Sequence, residues 1–290
     1  MKTCIECKCE VEQNNWNCPK CGYEPRLEDG RLVLSLESDE QKDIGFESEF
    51  FNRLIKVEEN NFWFCARNKL INWAIKNHFP KARNFFEIGC GTGFVLSGID
   101  AAFPDLDLSG SEVLSHGLKF ASERVPKATL FQMDARNIPF KEEFEVIGAF
   151  DVLEHILEDK AALEQIYKAL KPGGGVILTV PQHKFLWSKL DEFSYHFRRY
   201  SSKELKTKVE LCGFKVLRMT SFVTFLLPLF ILSRLLKFKS SKSRKGDMSE
   251  FNLNRHVNLL LEKVLDLERM FITLGISFPM GSSLLLIAKK

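Results

Sequence analysis

The stretch FFEIGCGTGF, residues 85–94, decides the fold of this chain. Its first half is a short apolar run, and glycines then occupy positions 89, 91 and 93. Apolar side chains at helical spacing follow, so the pattern predicts a strand, a glycine loop and a helix. Such a unit presents backbone N–H groups to a nucleotide-like ligand beyond the carboxyl end of a strand.

The glycine spacing narrows the choice of ligand. A dinucleotide fingerprint needs a third glycine at position 94, where this chain has Phe94. The chain reads G-x-G-x-G instead, with the acidic Glu87 two residues before the first glycine. EIGCGTG resembles motif I of the class I S-adenosylmethionine-dependent methyltransferases, of the methyltransferase type 11/12-like group. The resemblance implies an α/β fold, a doubly wound seven-stranded Rossmann-like sheet whose last strand is antiparallel.

Later segments fit that resemblance in order over residues 60–290. Strands are predicted within 105–113, 128–134, 144–151 and 173–181, and again in CGFKVLRMT and SSLLLIAKK. An acid at the end of the second strand, Glu112, suits two ribose hydroxyls. The resemblance implies that Asp134 binds the adenine amine. Taken singly, these acids also suit a helix N-cap and a loop cap, and Gly89 suits a tight turn.

The amphipathic helix predicted before motif I carries Arg67 near its start, where the guanidinium suits the methionyl carboxylate of the cofactor. The alternative is a surface arginine beside core aromatic residues. The cofactor-binding residues implied by the resemblance are Arg67, Glu87, Gly89, Cys90, Gly91, Thr92, Gly93, Glu112, Val113, Met133, Asp134, Ala135, Phe150 and Asp151.

Histidines near the strand ends are the candidate catalytic residues. If the acceptor is a hydroxyl, a general base helps to remove its proton, and histidine suits this at neutral pH. We expect His155 to be that base, with His196 next and His183 as a weaker candidate. The stretch Asp151-x-x-Glu154-His155 also resembles the E-x-x-E-H stretch of ubiquinone-pathway O-methyltransferases, which implies a divalent metal as an alternative.

The N-terminal cysteines predict a metal site. Cys4, Cys7, Cys18 and Cys21 form two C-x2-C pairs separated by ten residues, a spacing that suits tetrahedral zinc. Four thiolates leave no open position, so the zinc is expected to be structural. Cys9 is an extra thiol that can replace Cys7. The segment resembles the zinc ribbons appended to many enzymes.

Charge is distributed unevenly along the chain although the formal net charge is only +3. Residues 1–60 carry a net charge of −6, whereas residues 181–245 carry +11. An apolar stretch at 222–232 precedes a cluster of basic residues, which fits a contact of 222–245 with an anionic membrane surface. A lid over the active site or a dimer interface fits this segment equally well. Arg198 and Arg199, in HFRRY, either bind an anionic acceptor or pair with acids of the core.

These features predict three parts: a zinc ribbon at 1–26, an acidic and partly helical linker at 27–60, and a methyltransferase domain at 61–290. The last contains a helical apolar and basic insertion at 222–275. No export signal is recognised, so we expect a cytoplasmic protein or one peripheral to the inner face of the membrane.

The sequence therefore predicts an S-adenosylmethionine-dependent methyltransferase with structural zinc. Its expected reaction is O-methylation of a small, anionic or lipid-linked acceptor of the cell-envelope or quinone type. The first alternative is an RNA methyltransferase that uses the ribbon to contact RNA, but residues 1–26 carry four basic and four acidic residues, which argues against a phosphate-binding module. The second is a scaffold that keeps the fold without the activity.

Overall fold

The computed structural model describes residues 1–12, 16–35, 48–237 and 253–290, without the side chains of 48, 49 and 234–237. Its strands are β1 Lys2–Thr3, β2 Glu10–Val11, β3 Arg26–Glu28, β4 Arg31–Leu34, β5 Asn84–Ile88, β6 Asp107–Glu112, β7 Thr129–Met133, β8 Phe144–Phe150, β9 Leu170–Pro181, β10 Lys215–Phe222 and β11 Ser283–Lys289. Its helices are α1 Ser48–Glu58, α2 Phe62–His78, α3 Phe94–Ala102, α4 Ser115–Arg124, α5 Asp159–Ala169, α6 Lys189–Phe193, α7 Ser202–Leu211, α8 Leu227–Lys237 and α9 Arg255–Thr273.

The main sheet has nine strands in the order β10-β11-β9-β8-β5-β6-β7-β4-β3. Strands β9, β8, β5, β6 and β7 run parallel, and β11 is antiparallel to both of its neighbours. The predicted doubly wound fold with an antiparallel last strand is therefore confirmed, with β5 to β11 as its seven strands.

Two further strands come from the segment interpreted as a linker. The hairpin of β3 and β4 joins the edge of the sheet, where β4 pairs in parallel with β7. The backbone groups at that edge of β7 thus find partners, and the buried Val33 and Leu34 bring apolar surface with them. Residues 36–47 of the expected linker lie outside the described residues, and the described helix within the linker is α1.

Helices cover both faces of the sheet, as the largely buried strand β5 requires. Phe85 belongs to a core cluster formed with α2, α3 and α9, whereas the adjacent Phe86 belongs to the cluster on the other face, formed with α5 and α7. Both side chains are fully buried. Because successive strand side chains point to opposite faces, one strand anchors both layers.

The expected insertion at 222–275 is only partly described. Phe222 ends β10, and the apolar helix α8 begins at Leu227, while 238–252, with most of the basic cluster, lie outside the described residues. Helix α9 packs along α2. Lys69 of α2 donates to Glu262 at 2.8 Å and to Asp266 at 3.0 Å. No helix in the described ranges has both the length and the apolarity to cross a bilayer.

Candidate functional site

A cavity of about 1390 Å³ opens at the carboxyl ends of β5, β6, β7 and β8. Ligands bind at this edge of open α/β sheets because the loops after parallel strands converge there. The volume exceeds the roughly 300–1,000 Å³ of an ordinary small-molecule pocket, so there is room for two ligands together. Every residue expected to bind cofactor lines this cavity except Gly93, which lies at the start of α3.

The glycine loop turns sharply between β5 and α3. Gly89 has φ +66°, and an added Cβ would lie 2.5 Å from a methyl carbon of Val152. Gly93 has φ +75°, and an added Cβ would lie 2.9 Å from the backbone Cα of Ala121. Both positions therefore exclude other residues, because the backbone is left-handed and the neighbouring element is too close.

Glu112 ends β6 and faces the loop. Its carboxylate accepts the backbone N–H of Gly91 at 3.1 Å, that of Val113 at 2.8 Å and that of Leu114 at 3.2 Å. Burial raises the pKa of Glu112, although these three donors act in the opposite direction. The helix-cap interpretation thus has support, and the same carboxylate also lines the cavity.

Thr92 is held by residues that the sequence did not single out. Its hydroxyl donates to the buried Glu58 of α1, at 2.7 and 2.9 Å to the two carboxylate oxygens. Arg124 of α4 bonds the same carboxylate and donates to the Thr92 carbonyl at 3.1 Å. The loop is therefore clamped between α1 and α4. Glu58 and Arg124 lie on two different helices far from Thr92 in sequence, so no local pattern indicated this contact.

Asp134 follows β7 and is mostly buried. It accepts the backbone N–H of Arg136 at 2.7 Å, and the Arg136 side chain approaches both carboxylate oxygens at 2.6 to 3.1 Å. Arg136 also donates to Glu158 at 3.1 Å. The expected loop-capping role is present, and Asp134 also lines the cavity.

Arg67 lies inside the cavity wall rather than at the surface. It is buried, bonds Asp151 after β8, and its guanidinium carbon lies 4.5 Å from the ring centre of Trp63. Asp151 also accepts the Thr179 hydroxyl at 3.0 Å. The Nε–H of Arg67 has no acceptor among the described residues, so one buried donor lacks a partner in the cofactor-free protein.

Glu87 is an acid without a full set of partners. The residue is 2% exposed, and its Oε2 has no hydrogen bond within the described part of the chain. Burial raises the pKa of Glu87 to about 8, while the positive charge of Arg67 opposes the rise. A carboxyl group of this kind is prepared to receive a cation, which would restore its charge.

The two expected catalytic histidines meet at the other end of the cavity. The rings of His155 and His196 are edge to face, with centres 4.6 Å apart. Burial lowers the pKa of His155 to about 3, and the nearby His196 adds to the effect, so His155 is a weak base. His196 instead has an orienting acid, since its Nδ1 lies 2.9 Å from Asp191 Oδ1.

Asp191 holds this arrangement together and was not predicted. Burial disfavours its charge, yet the hydrogen bonds and charges of His196 and Arg199 outweigh burial and hold the pKa of Asp191 below its ordinary range. Arg199 donates to the same carboxylate at 2.7 Å. An ionised aspartate thus fixes the His196 tautomer, with the proton on Nδ1 and a lone pair on Nε2.

The candidate metal ligands differ from those expected. Glu154, His155 and His196 bring ligand atoms within 4.8 Å of one another, whereas Asp151 is occupied by Arg67 and Thr179. Glu154 is fully buried, neither of its carboxylate oxygens has a hydrogen-bond partner among the described residues, and its Oε1 lies 4.0 Å from His196 Nε2. The donor types suit a divalent ion.

The arginines of HFRRY pair with acids, which supports the second of the two expectations, although Arg199 also lines the cavity. Arg198 bonds Asp159 at 2.7 Å, and Arg199 bonds Asp191 at 2.7 Å. Their charges are therefore compensated within the fold. His183 stacks on Phe185 and is not part of the lining that the described residues form.

Large apolar side chains surround the histidine end of the cavity. Each of them lines the cavity and has an exposed fraction between 38% and 59%. These residues are Leu157, Trp187, Tyr195 and Phe197. Phe230 of α8 lines the same end. This apolar rim was not predicted, because its members come from three separate loops.

The four expected metal-binding cysteines converge at the N-terminus, with sulfur atoms within 4.8 Å of one another. Zn–S bonds of about 2.3 Å place tetrahedral sulfur atoms about 3.8 Å apart. Cys4 and Cys21 are separated by 3.7 Å, and Cys7 and Cys18 by 3.5 Å, so the residues fit zinc. Cys9 lies 3.3 Å from both Cys7 and Cys18, which keeps it available as a substitute.

Comparison with known proteins agrees with this architecture. A probable S-adenosylmethionine-dependent methyltransferase of Mycolicibacterium smegmatis is 24% identical over 164 residues, 55% of this chain and 62% of that protein. The mitochondrial ubiquinone biosynthesis O-methyltransferase of Dictyostelium discoideum is 26% identical over 142 residues, 43% of this chain and 44% of that protein. These matches span less than two thirds of the relatives' length.

A similar fold occurs in the Haemonchus contortus phosphoethanolamine N-methyltransferase 2 solved with S-adenosyl-L-methionine. The TM-score is 0.56 at 18% identity, covering 86% of this chain and 58% of that one. The family model described as a methyltransferase domain matches residues 57–219. Because the matched residues make up more than half of this chain, the chain belongs to the methyltransferase domain family.

Proposed function

We propose that the protein is an S-adenosylmethionine-dependent methyltransferase that methylates a hydroxyl oxygen of an apolar or lipid-linked acceptor. The observation that carries the proposal is one cavity with two chemically different ends. The glycine loop, Glu112 and Asp134 lie at one end, and the Asp191–His196 pair lies within the apolar rim at the other.

The first end suits the cofactor. Glu112 and Asp134 offer carboxylate oxygens after neighbouring strands, where ribose and adenine bind in folds of this kind. Glu87 and the free Nε–H of Arg67 offer an acid and a donor to the ammonium and carboxylate of the methionyl part. The cofactor supplies an activated methyl group on its sulfonium, so the protein mainly aligns the reactants, which is worth ~7–11 kcal/mol.

The second end suits an acceptor whose hydroxyl must lose a proton. Asp191 keeps the His196 proton on Nδ1, and Nε2 then accepts the hydroxyl proton as the methyl group is transferred. His155 packs edge to face against the His196 ring and helps to orient it. The low pKa of His155 leaves its own ring neutral. We therefore place His196 before His155 as the catalytic base.

The rim favours the apolar form of the acceptor over the anionic one. Arg198 and Arg199 each pair with an acid of the fold, which weakens the argument for an anionic headgroup. The exposed rim residues instead offer contacts to a long apolar chain. Incubation of the protein with methyl-labelled S-adenosylmethionine and cell extract should place the label in the organic-solvent phase. Label confined to the aqueous phase would contradict the apolar acceptor.

Cofactor binding is the direct test of the activity. Calorimetric titration should show that S-adenosylmethionine binds the wild-type protein. Its affinity for Asp134→Ala should be lower by a factor of roughly ten or more, because a charged acceptor of the adenine amine is lost. The exposed Asp105→Ala is the matched control and should bind as the wild type does. Absence of binding to a folded, zinc-loaded wild-type sample would sink the proposal.

The apolar surface of α8 supports a peripheral contact with membrane. Leu229 and Leu232 lie one helical turn apart, each 51% exposed, and the chain continues from α8 into the basic cluster. The double variant Leu229→Asp/Leu232→Asp should lose flotation with anionic vesicles, whereas Leu211→Asp, changed at the exposed end of α7, should float normally. Equal flotation of both variants would refute the contact.

A divalent metal at Glu154, His155 and His196 is the second mechanism that a specific observation favours. An ion there would orient or polarise the acceptor oxygen instead of His196 removing its proton. Added Fe²⁺ or Ni²⁺, divalent ions that imidazole ligands suit, would then raise turnover without changing affinity for S-adenosylmethionine, whereas the base mechanism predicts no response to either ion.

A further inference from the structure

The cysteine ribbon does not project from the protein; it is attached to one loop of the main domain. Lys2 of strand β1 forms an antiparallel bridge with Phe140. The Thr3 N–H donates to the Pro139 carbonyl at 2.7 Å, and the Lys141 N–H donates to the Met1 carbonyl at 2.9 Å. Strand β1 of the ribbon therefore pairs with residues 139–141, the returning arm of the loop between β7 and β8.

Side chains fasten the same contact. Lys8, in the first cysteine turn, donates to the Asn137 side chain at 2.6 Å, and Trp16 packs edge to face on Phe140 at 5.9 Å. Ile5 lies between two cysteine ligands in sequence, is 2% exposed, and belongs to the main hydrophobic core. Residues of the ribbon thus complete the core beneath this loop.

The outgoing arm of that loop carries the adenine end of the cofactor site. Asp134 and Ala135 begin the arm, and the core cluster that contains Ile5 also contains Met133 and Ala135. The Asn137 N–H donates to the Asp134 carbonyl at 3.0 Å, so Asn137 links the ribbon to the turn at Asp134. Movement of the ribbon would be transmitted to this turn through one short segment.

We propose that the ribbon is a positioning element for the cofactor: its metal-bound form holds the loop 134–141 so that Asp134 and Ala135 face adenine. Lys8, Thr3 and Ile5 are the positioning residues. The inference rests on the proposed cofactor site and extends it, since it assigns the ribbon a partner within its own chain rather than RNA. Such a segment of few residues gains most of its folding free energy from zinc, so metal loss would release the loop.

The first experiment compares ligand binding before and after zinc removal from the full chain. The two ligands are S-adenosylmethionine and 5′-methylthioadenosine, which lacks the amino-acid end. If zinc removal leaves the loop correctly placed in only about a tenth of the molecules, both ligands should bind about tenfold more weakly. Hydrogen exchange should rise at 129–141 and stay unchanged in β9. Unchanged affinity after zinc removal, or a rise in exchange across the whole sheet, would overturn the proposal.

The second experiment keeps the zinc in place. Lys8→Ala should weaken binding of both ligands by the same factor of about two to five, while Lys8→Arg should restore it by keeping a donor to Asn137. The exposed Lys20→Ala is the matched control in the second cysteine turn and should bind normally. Equal affinities of Lys8→Ala and Lys20→Ala, at equal zinc content, would refute the positioning role.

These results remain distinct from a failure of the proposed function. If zinc-loaded wild-type protein binds neither ligand, the cofactor assignment is wrong. If it binds both and Lys8→Ala binds equally well, the cofactor assignment stands and the ribbon has no part in positioning it.

Discussion

Replacement of Glu87 by glutamine tests the most unusual group of the cavity. Its carboxyl is buried on β5, and burial raises its pKa from 4.5 to about 8. In the cofactor-free protein at pH 7 the group is therefore mostly protonated. Glutamine keeps the size and the hydrogen-bonding oxygen but cannot ionise, so the variant isolates the effect of charge.

The pKa shift has a consequence for stability of the cofactor-free protein. A carboxyl whose pKa is raised on folding stabilises the folded state below pH 4.5, and this contribution disappears as the pH rises through about 8. The difference between those two values corresponds to about 5 kcal/mol at alkaline pH. Glu87→Gln should therefore unfold at higher urea concentration than wild type at pH 9, with little difference at pH 4.

Cofactor binding should shift Glu87 from its protonated to its ionised form. A cation beside Glu87 favours its ionised form, so wild-type protein should release up to one proton on binding S-adenosylmethionine at pH 7 and bind more tightly as the pH approaches 8. Glu87→Gln should release no such proton and bind roughly 10- to 100-fold more weakly at pH 8, since a hydrogen bond to a charged group is worth about 1.5–3 kcal/mol.

Calorimetry in buffers of different ionisation enthalpy measures both quantities. The exposed Glu123→Gln, on α4, is the matched control and should behave as wild type. Identical proton release by wild type and Glu87→Gln, or equal affinity at pH 8, would refute the assignment of Glu87 to the cationic end of the cofactor.

Two further predictions concern the loop and the base. Gly93→Ala should lower the free energy of unfolding by about 1–3 kcal/mol and weaken cofactor binding. The reason is that the φ of +75° at Gly93 and the 2.9 Å distance from an added Cβ to the Ala121 backbone both oppose a side chain. Urea unfolding alongside a surface variant would measure this effect, and unchanged stability would contradict it. His196→Ala should reduce turnover by about 10²–10⁴ while leaving affinity for S-adenosylmethionine unchanged; a comparable loss of affinity would place His196 in the cofactor site instead.

Much of the glycine-loop end of the cavity was predictable because its determinants are local. The glycine loop follows its strand directly, and Glu112 and Asp134 stand at or just past the ends of predicted strands. Strand ends meet at one edge of a parallel sheet, so order along the chain was enough to bring these residues together. The partners that hold them, such as Glu58 on Thr92, were not predictable because they come from other helices.

The residues at the histidine end of the cavity were less predictable. Both histidines were singled out, yet their ranking depended on burial of His155 and on Asp191, five residues before His196 in a short helix that no periodic pattern marks. Whether Arg198 and Arg199 were free for an anion also depended on which acids folding placed beside them. Such pairings are decided by packing, which leaves no trace in local spacing.

The sequence by itself determined the sheet, the glycine loop, the strand-end acids and the four-cysteine metal site, because each follows from periodicity or from residues close together in the chain. Only the tertiary structure decided that the ribbon docks on the loop after Asp134 and that residues 26–34 extend the sheet. Thr3 and Pro139 lie far apart in sequence, and their hydrogen bond exists because an exposed strand edge and a returning loop arm satisfy each other's backbone groups.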